Sequence, residues 1–437
     1  MESSKRPVSN DGRKADRTDR TASIHDGIHG RTPSDCSPEN CAPEDCTPED
    51  CAPEDCAPED CAPEDYAPEG SCIGDAGIRG IDIQAVQVLS DCTLCPRNCH
   101  VNRIRGERGY CGEAGMIRAA RAALYYTEEP VISGTRGSGT VFFAGCNLGC
   151  IYCQNRRISR PAAPQSSFFP NRPGEFSASP RTSPAPDSFS PCLTEISPER
   201  MTEIFLDLQE QGAHNINLVT PEHFVPLLVP ALRMAKDRGL SIPVVYNTGS
   251  YERVEAVKAL EGLVDVWLPD LKYVSPALSA RHTGASDYFQ YASAAIAEMV
   301  RQCPEPVFSD GSHTIDCPDD ADDPLMVRGV LVRHLALPGC GEDSRAVLRY
   351  LHETYGDRIF ISIMNQYTPM PQVLQRKLSS PADIDLCRRL SEEEYDDLVD
   401  YAIDLGITNG FIQESGTVSP SYIPVFDGTG IIKNSFS

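Results

Sequence analysis

Val141-Phe142-Phe143-Ala144-Gly145-Cys146-Asn147-Leu148-Gly149-Cys150-Ile151-Tyr152-Cys153 decides how this 437-residue chain is to be read. A short apolar strand, Val141 to Ala144, runs into a loop whose cysteines are spaced C-x3-C-x2-C. Three thiolates so close on one loop can wrap a small soft metal centre. They would leave one iron of a cubane [4Fe–4S] cluster without a protein ligand, and an open metal position is where a substrate or cofactor binds. Gly145 and Gly149 allow the loop to turn tightly around the metal. The competing readings are three unrelated buried thiols, or a zinc site with a distant fourth ligand. The place of the triplet, directly after a strand, favours the cluster.

Outward from this loop the chain alternates between strand and helix. Ser197 and Pro198 offer an N-cap and first position for a helix whose buried stripe is Met201, Ile204, Phe205 and Leu208. Ile216 to Val219 reads as a strand. A helix follows through Leu227, Leu228, Ala231 and Met234, stopping near Gly239. Strands are expected over 242–246, 264–268, 327–332 and 359–364, with helices over 254–260 and 346–355 between them. Ser391 with Glu394 makes a capping box for a last helix, which Gly406 can end. Near-continuous apolar strands alternating with helices imply a parallel sheet covered by helices. Six such units describe an α/β barrel or partial barrel, with its chemistry at the C-terminal ends of the strands.

The remainder of the chain bounds the function. Its formal charge is −24, which excludes a nucleic-acid phosphate backbone as a natural partner. Residues 32–75 hold 14 acids and no Lys or Arg, so the rest carries −24 + 14 = −10, a solvated acidic surface. No run of about 18 apolar residues occurs, so no membrane span is expected. Met1 to Arg31 lacks the apolar core of a signal peptide. Nineteen cysteines in clusters with short spacings point to metal ligands in a reducing compartment, the cytoplasm.

Residues 1–80 read as a disordered low-complexity tail. They carry a five-residue Cys-x-Pro-Glu-Asp/Asn repeat starting at Cys36, Cys41, Cys46, Cys51, Cys56 and Cys61, with a degenerate unit at Tyr66. A proline every fifth residue blocks helix and sheet, and the acids repel one another. A metal-binding tail is the sharper reading of these thiols; a tract with no selected role suffices to explain the composition. Residues 81–135 form a Cys-rich extension, 136–415 the barrel and 416–437 a C-terminal extension. Surface-loop insertions are expected at 160–192, rich in Pro and Ser, and at 303–324, acidic and broken by Pro and Gly.

Within the extension, Cys92, Cys95, Cys99 and Cys111 are spaced C-x2-C-x3-C-x11-C. Four ligands fit a closed site, and zinc and an auxiliary iron–sulfur cluster are both compatible. A structural metal would staple a segment whose Gly106, Gly109 and Gly112 give it little core.

Several stretches together resemble a known family. They are Cys92-Thr93-Leu94-Cys95-Pro96-Arg97-Asn98-Cys99, the triplet loop through Gln154-Asn155, Asn217-Leu218-Val219-Thr220-Pro221-Glu222-His223, Leu268-Pro269-Asp270-Leu271-Lys272-Tyr273, Arg333-His334-Leu335-Ala336-Leu337-Pro338-Gly339 and Gly410-Phe411-Ile412-Gln413-Glu414. From Cys92 to Phe426 the chain is similar to the radical S-adenosylmethionine (SAM) superfamily, and more narrowly to uncharacterised proteins related to pyruvate formate-lyase activating enzyme. The resemblance implies a partial (β/α)6 barrel with a [4Fe–4S] cluster on Cys146, Cys150 and Cys153. It implies SAM chelating the open iron through its amino and carboxylate groups, and reductive cleavage to a 5′-deoxyadenosyl radical that abstracts hydrogen. An electron donor such as flavodoxin or ferredoxin is implied too. The substrate is left open between a partner protein, as for a glycyl-radical activase, and a small molecule. The alternative is an iron–sulfur protein that transfers electrons or senses redox state without turning over SAM.

The resemblance also places cofactor-binding candidates. Thr220 and Glu222 follow the second strand, where the superfamily has a Gly-rich motif for the SAM amino group; those glycines are absent here. Asn247 follows the third strand in Asn247-Thr248-Gly249, and Tyr246 stands where the activating enzymes have an acid. Asp270 and Lys272 follow the fourth, as either a surface ion pair or pocket residues. Arg333 ends the next strand and is suited to hold a carboxylate as a fork. His334 is read as structural, and Gln366, after the sixth strand, is a weaker candidate.

Overall fold

The computed structural model describes residues 83–160, 191–313, 324–375, 384–413 and 423–432. The repeat of residues 1–80, nearly all of the 160–192 insertion and the acidic centre of 303–324 lie outside them. In chain order the strands are β1 (Ile117–Tyr125), β2 (Ser138–Phe143), β3 (Thr194–Ile196), β4 (Ile216–Val219), β5 (Val244–Thr248), β6 (Val266–Pro269), β7 (Val307–Phe308), β8 (Met326–Leu335), β9 (Phe360–Met364) and β10 (Gly410–Ile412). The helices are α1 (Ile83–Ser90), α2 (Pro130–Ser133), α3 (Arg156–Ser159), α4 (Pro198–Glu210), α5 (Val225–Asp237), α6 (Val254–Lys258), α7 (Pro276–Thr283), α8 (Tyr288–Gln302), α9 (Gly341–Tyr355), α10 (Pro371–Gln375) and α11 (Glu392–Leu405).

Every residue of β4, β5, β6 and β9 is buried, as strands covered on both faces must be. β2, β4, β5, β6, β8 and β9 pair in that order, all parallel. Helices separate them along the chain, which makes an open, partial (β/α)6 barrel. β10 extends the sheet in parallel beside β9. At the other edge β1 runs antiparallel to β2, and β3 to β1. The register lines up the strand ends: Phe142 sits beside Val219, Val219 beside Asn247 and Asn247 beside Leu268. One step on, Asp270 bridges to Arg333. The residues after β4, β5, β6 and β8 therefore share one rim.

Local signals account for the helix boundaries. The Ser197 hydroxyl accepts the Arg200 N–H at 3.2 Å, Pro198 opens α4, and Met201, Ile204, Phe205 and Leu208 are buried. Ser391 and Glu394 form the expected reciprocal capping box on α11, and Gly406 ends it in the left-handed conformation at φ 84°. The stretch 303–324 is not loop throughout. Val307 and Phe308 pair antiparallel with β8, and Phe308 is buried against Phe360 at 5.5 Å between ring centroids. Two apolar residues beside a β-branched strand find an edge there, which the surrounding acids and prolines hide in the sequence. Among the described residues, no helix is long and apolar enough to cross a membrane.

Candidate functional site

The triplet loop leaves β2 at a residue that must be glycine. Gly145 has φ +79°, and a Cβ there would stand 2.5 Å from Glu113 Cγ and 2.7 Å from the Cys111 carbonyl oxygen. The loop is then held by its own backbone. Gly145 N–H donates to the Ile158 carbonyl (2.8 Å), Gly149 N–H to Thr283 (3.0 Å) and Ile151 N–H to His282 (2.9 Å). Side chains complete the frame. Asn147 Nδ2 donates to the Tyr251 carbonyl (2.7 Å), Arg97 Nε to the Asn147 carbonyl (2.8 Å) and an Arg160 guanidinium nitrogen to the Leu148 carbonyl (2.9 Å). His223 Nε2 faces the Ala144 carbonyl at 2.7 Å, so that nitrogen carries the proton. Burial holds the imidazole far below its usual range, at about 3, so it stays neutral.

Cys146, Cys150 and Cys153 line a cavity of about 250 Å³. Thr220, Glu222, Asn247, Asp270, Lys272, Arg333 and Gln366 line it too, so the structure brings the cofactor-binding candidates of the sequence together with the triplet. His334 does not reach it. Its ring is buried between the Leu271 carbonyl (2.8 Å) and the Ser344 hydroxyl (2.9 Å), a structural position. Thr220 adopts φ +61°, a left-handed conformation unusual for a β-branched residue and a form of strain that clusters at functional sites.

Polar groups at the rim form one network. Arg333 donates to Asp270 Oδ1 (3.0 Å), Glu128 Oε2 (3.0 Å) and Asn247 Oδ1 (2.6 Å). Lys272 Nζ meets Asp270 Oδ2 at 2.5 Å. Asp270 and Lys272 are thus a largely buried pocket pair, not a surface one. Burial pushes the Asp270 carboxyl up, but Lys272 and Arg333 outweigh it and hold the group below the usual carboxylate range. Burial also raises Glu128, to about 7, against the pull of Arg333. Deeper, Tyr246 OH and Thr248 Oγ1 donate to the two oxygens of Glu252 at 2.8 and 2.6 Å. Beside them Glu222 is 2% exposed, and among the described residues neither of its carboxylate oxygens has a hydrogen-bond partner. Burial, and then the neighbouring Glu252, push it up to about 8.

Glu128, Glu252, Arg97, Arg160 and His223 escaped the sequence reading. Glu128-Glu129 looks like any solvated acidic pair, and only the fold of β1 carries it to Arg333. His223, adjacent to Glu222, and Arg97, inside the Cys92–Cys99 stretch, were the two with a local signal.

The donor set suits a [4Fe–4S] cluster. Three soft thiols face one cavity, and Cys146 Sγ already accepts the Leu148 N–H at 3.3 Å. Among the described residues no group of three or more His, Cys, Asp or Glu gathers around a single-ion position. A cubane does not require that, because each thiolate binds its own iron.

No protein-family model matches the sequence. An uncharacterized protein of Methanocaldococcus jannaschii is 25% identical over 322 residues, covering 73% of this chain and 76% of its own length. Solved structures similar to the fold include SuiB of Streptococcus suis bound to S-adenosylmethionine, with TM-score 0.36 and 10% identity over 62% of this chain and 48% of that one. A domain of pyruvate-formate lyase-activating enzyme from Bacteroides vulgatus has TM-score 0.29 and 13% identity over 44% of this chain and 92% of that domain. HydG from Carboxydothermus hydrogenoformans, a FeFe-hydrogenase maturase, has TM-score 0.33 and 13% identity over 64% and 58%. The chain spans about half the length of the SuiB chain it matches.

Proposed function

We propose that the protein is a radical SAM enzyme, with Cys146, Cys150 and Cys153 holding a [4Fe–4S] cluster. One observation carries the reading: the three thiols share a cavity with residues from the C-terminal ends of four successive barrel strands. When bound, the reduced cluster and SAM supply a 5′-deoxyadenosyl radical for hydrogen abstraction. The chain's own residues bind and orient. Glu222, whose oxygens have no partner among the described residues, is the natural acceptor for the SAM ammonium group, and Thr220, in its left-handed turn, lines the same cavity. Arg333 and Lys272 supply the cationic side of the cavity for the SAM carboxylate. Asn247 and Asp270 hold that side in place. Phe142, Leu148, Tyr152 and Met364 line the same cavity and help to keep water from it. An electron donor of the flavodoxin or ferredoxin kind is required, and the substrate is a partner protein or a small molecule.

The test is spectroscopic. Anaerobically reconstituted and reduced protein is expected to show a [4Fe–4S] EPR signal that changes on adding SAM. The triple variant Cys146→Ala/Cys150→Ala/Cys153→Ala is expected to lose it. A SAM-sensitive signal retained in the triple variant would refute the ligand assignment. A cluster indifferent to SAM would favour the electron-transfer reading.

A further inference from the structure

We infer that Cys92, Cys95, Cys99 and Cys111 hold a second iron–sulfur cluster, separate from the triplet. Backbone hydrogen bonds assemble these four thiols from a loop of little core. Cys92 N–H donates to the Val101 carbonyl and His100 N–H to the Cys92 carbonyl, both at 3.0 Å, which lays Cys92 beside the end of the Cys95–Cys99 turn. Asn98 N–H closes that turn on the Cys95 carbonyl at 3.1 Å. Asn98 and His100 both take left-handed φ, at 48° and 55°, which turns the chain tightly on either side of Cys99. The far end of the segment then folds back. Tyr110 N–H donates to Cys99 Sγ at 3.2 Å, and a Cβ on Gly109 would stand 3.0 Å from that sulfur. Cys111 follows directly. Cys92, Cys99 and Cys111 are all neighbours of Cys95.

The arrangement separates two kinds of centre. A closed zinc site, with Zn–S bonds of about 2.3 Å, draws four sulfurs to within roughly 4 Å of each other around one point. No such gathering exists among the described residues. Thiolates that each bind a different iron of a cubane stand farther apart, and the Tyr110 N–H bond to Cys99 Sγ is of the kind that tunes such a cluster. None of the four lines the cavity of the triplet, so the two sets do not share a centre. The sets are nonetheless neighbours, because Cys146 N–H donates to the Cys111 carbonyl at 3.4 Å.

The experiment counts metal in the full chain and is independent of SAM. The triple variant Cys146→Ala/Cys150→Ala/Cys153→Ala, purified and reconstituted anaerobically with iron and sulfide, is expected to keep about four iron and four sulfide per chain. Adding Cys95→Ser and Cys99→Ser should remove them. Zinc in place of iron, or a folded triple variant without metal, would overturn the inference. If the triple variant does not fold, the wild-type chain decides. About eight iron per chain, falling to about four in Cys95→Ser/Cys99→Ser, supports a second cluster. A count unchanged by those substitutions overturns it. Iron lost only with the triplet speaks to the SAM cluster, so the two readings fail separately.

Discussion

Arg333 neutralises two largely buried carboxylates, since Glu128 and Asp270 both meet its guanidinium at 3.0 Å. Arg333→Leu leaves Glu128 uncompensated and Asp270 with Lys272 alone. Breaking a buried pair in this way costs about 3–5 kcal/mol. Denaturant unfolding of the apo chain is expected to show a loss of that order, and an unchanged midpoint would mean that the network is solvated. Its neighbour His334 gives a pH prediction. Burial lowers this imidazole from 6.5 to about 4, so the folded state keeps it neutral while the unfolded chain takes up a proton. The stability it contributes is complete above pH 6.5 and is lost as pH falls towards 4, by at most about 3 kcal/mol. Glu222, Glu252 and Glu128 act in the opposite sense, because their raised values favour proton uptake by the fold. Only a difference isolates the histidine. His334→Asn, which keeps a donor for the Leu271 carbonyl, is expected to be less acid-sensitive than the wild type between pH 6.5 and 4. Parallel curves would remove His334 as the cause.

At the scale of elements, the turn out of β2 matters most. Gly145→Ala puts a methyl group against Glu113 and the Cys111 carbonyl in a left-handed backbone. The loop must shift, and iron and sulfide analysis after reconstitution is expected to show most of the triplet's cluster lost. Full loading of the Gly145→Ala chain would show that the loop tolerates displacement. The capping box of α11 is a milder case: Ser391→Ala should cost about 1 kcal/mol in unfolding free energy. No change would mean that Arg388, which also binds Glu394, fixes the helix start alone. These elements were legible because their signals are local: a cap, a proline, an apolar run. β1 was not. Ile117-Arg118-Ala119-Ala120-Arg121-Ala122 alternates poorly, and its place is set by pairing with β2 and by Gly428 and Thr429, more than 300 residues on. β7, two residues long inside an acidic stretch, had even less to show.

The whole molecule follows from six apolar strands and their helices, which is why its barrel could be read from the chain. The rim was legible in part. Thr220, Glu222, Asn247, Asp270, Lys272 and Arg333 follow strands, so a correct strand order brings them together. Glu128 and Glu252 become site residues only through tertiary packing, which no local pattern announces. The N-terminal repeat lies outside the described residues, and its proline-spaced acids are expected from the sequence to add no core. A chain begun at Gly77 is expected to unfold at the same midpoint as the full chain and to load the same iron; loss of folding would place the boundary elsewhere. The central claim, that this barrel cleaves SAM, is tested most directly by incubating the reduced, reconstituted protein with SAM under anaerobic conditions and assaying 5′-deoxyadenosine. The account predicts 5′-deoxyadenosine from the wild type and none from Cys150→Ala. A fully loaded, fully reduced wild-type cluster that forms no 5′-deoxyadenosine would contradict it.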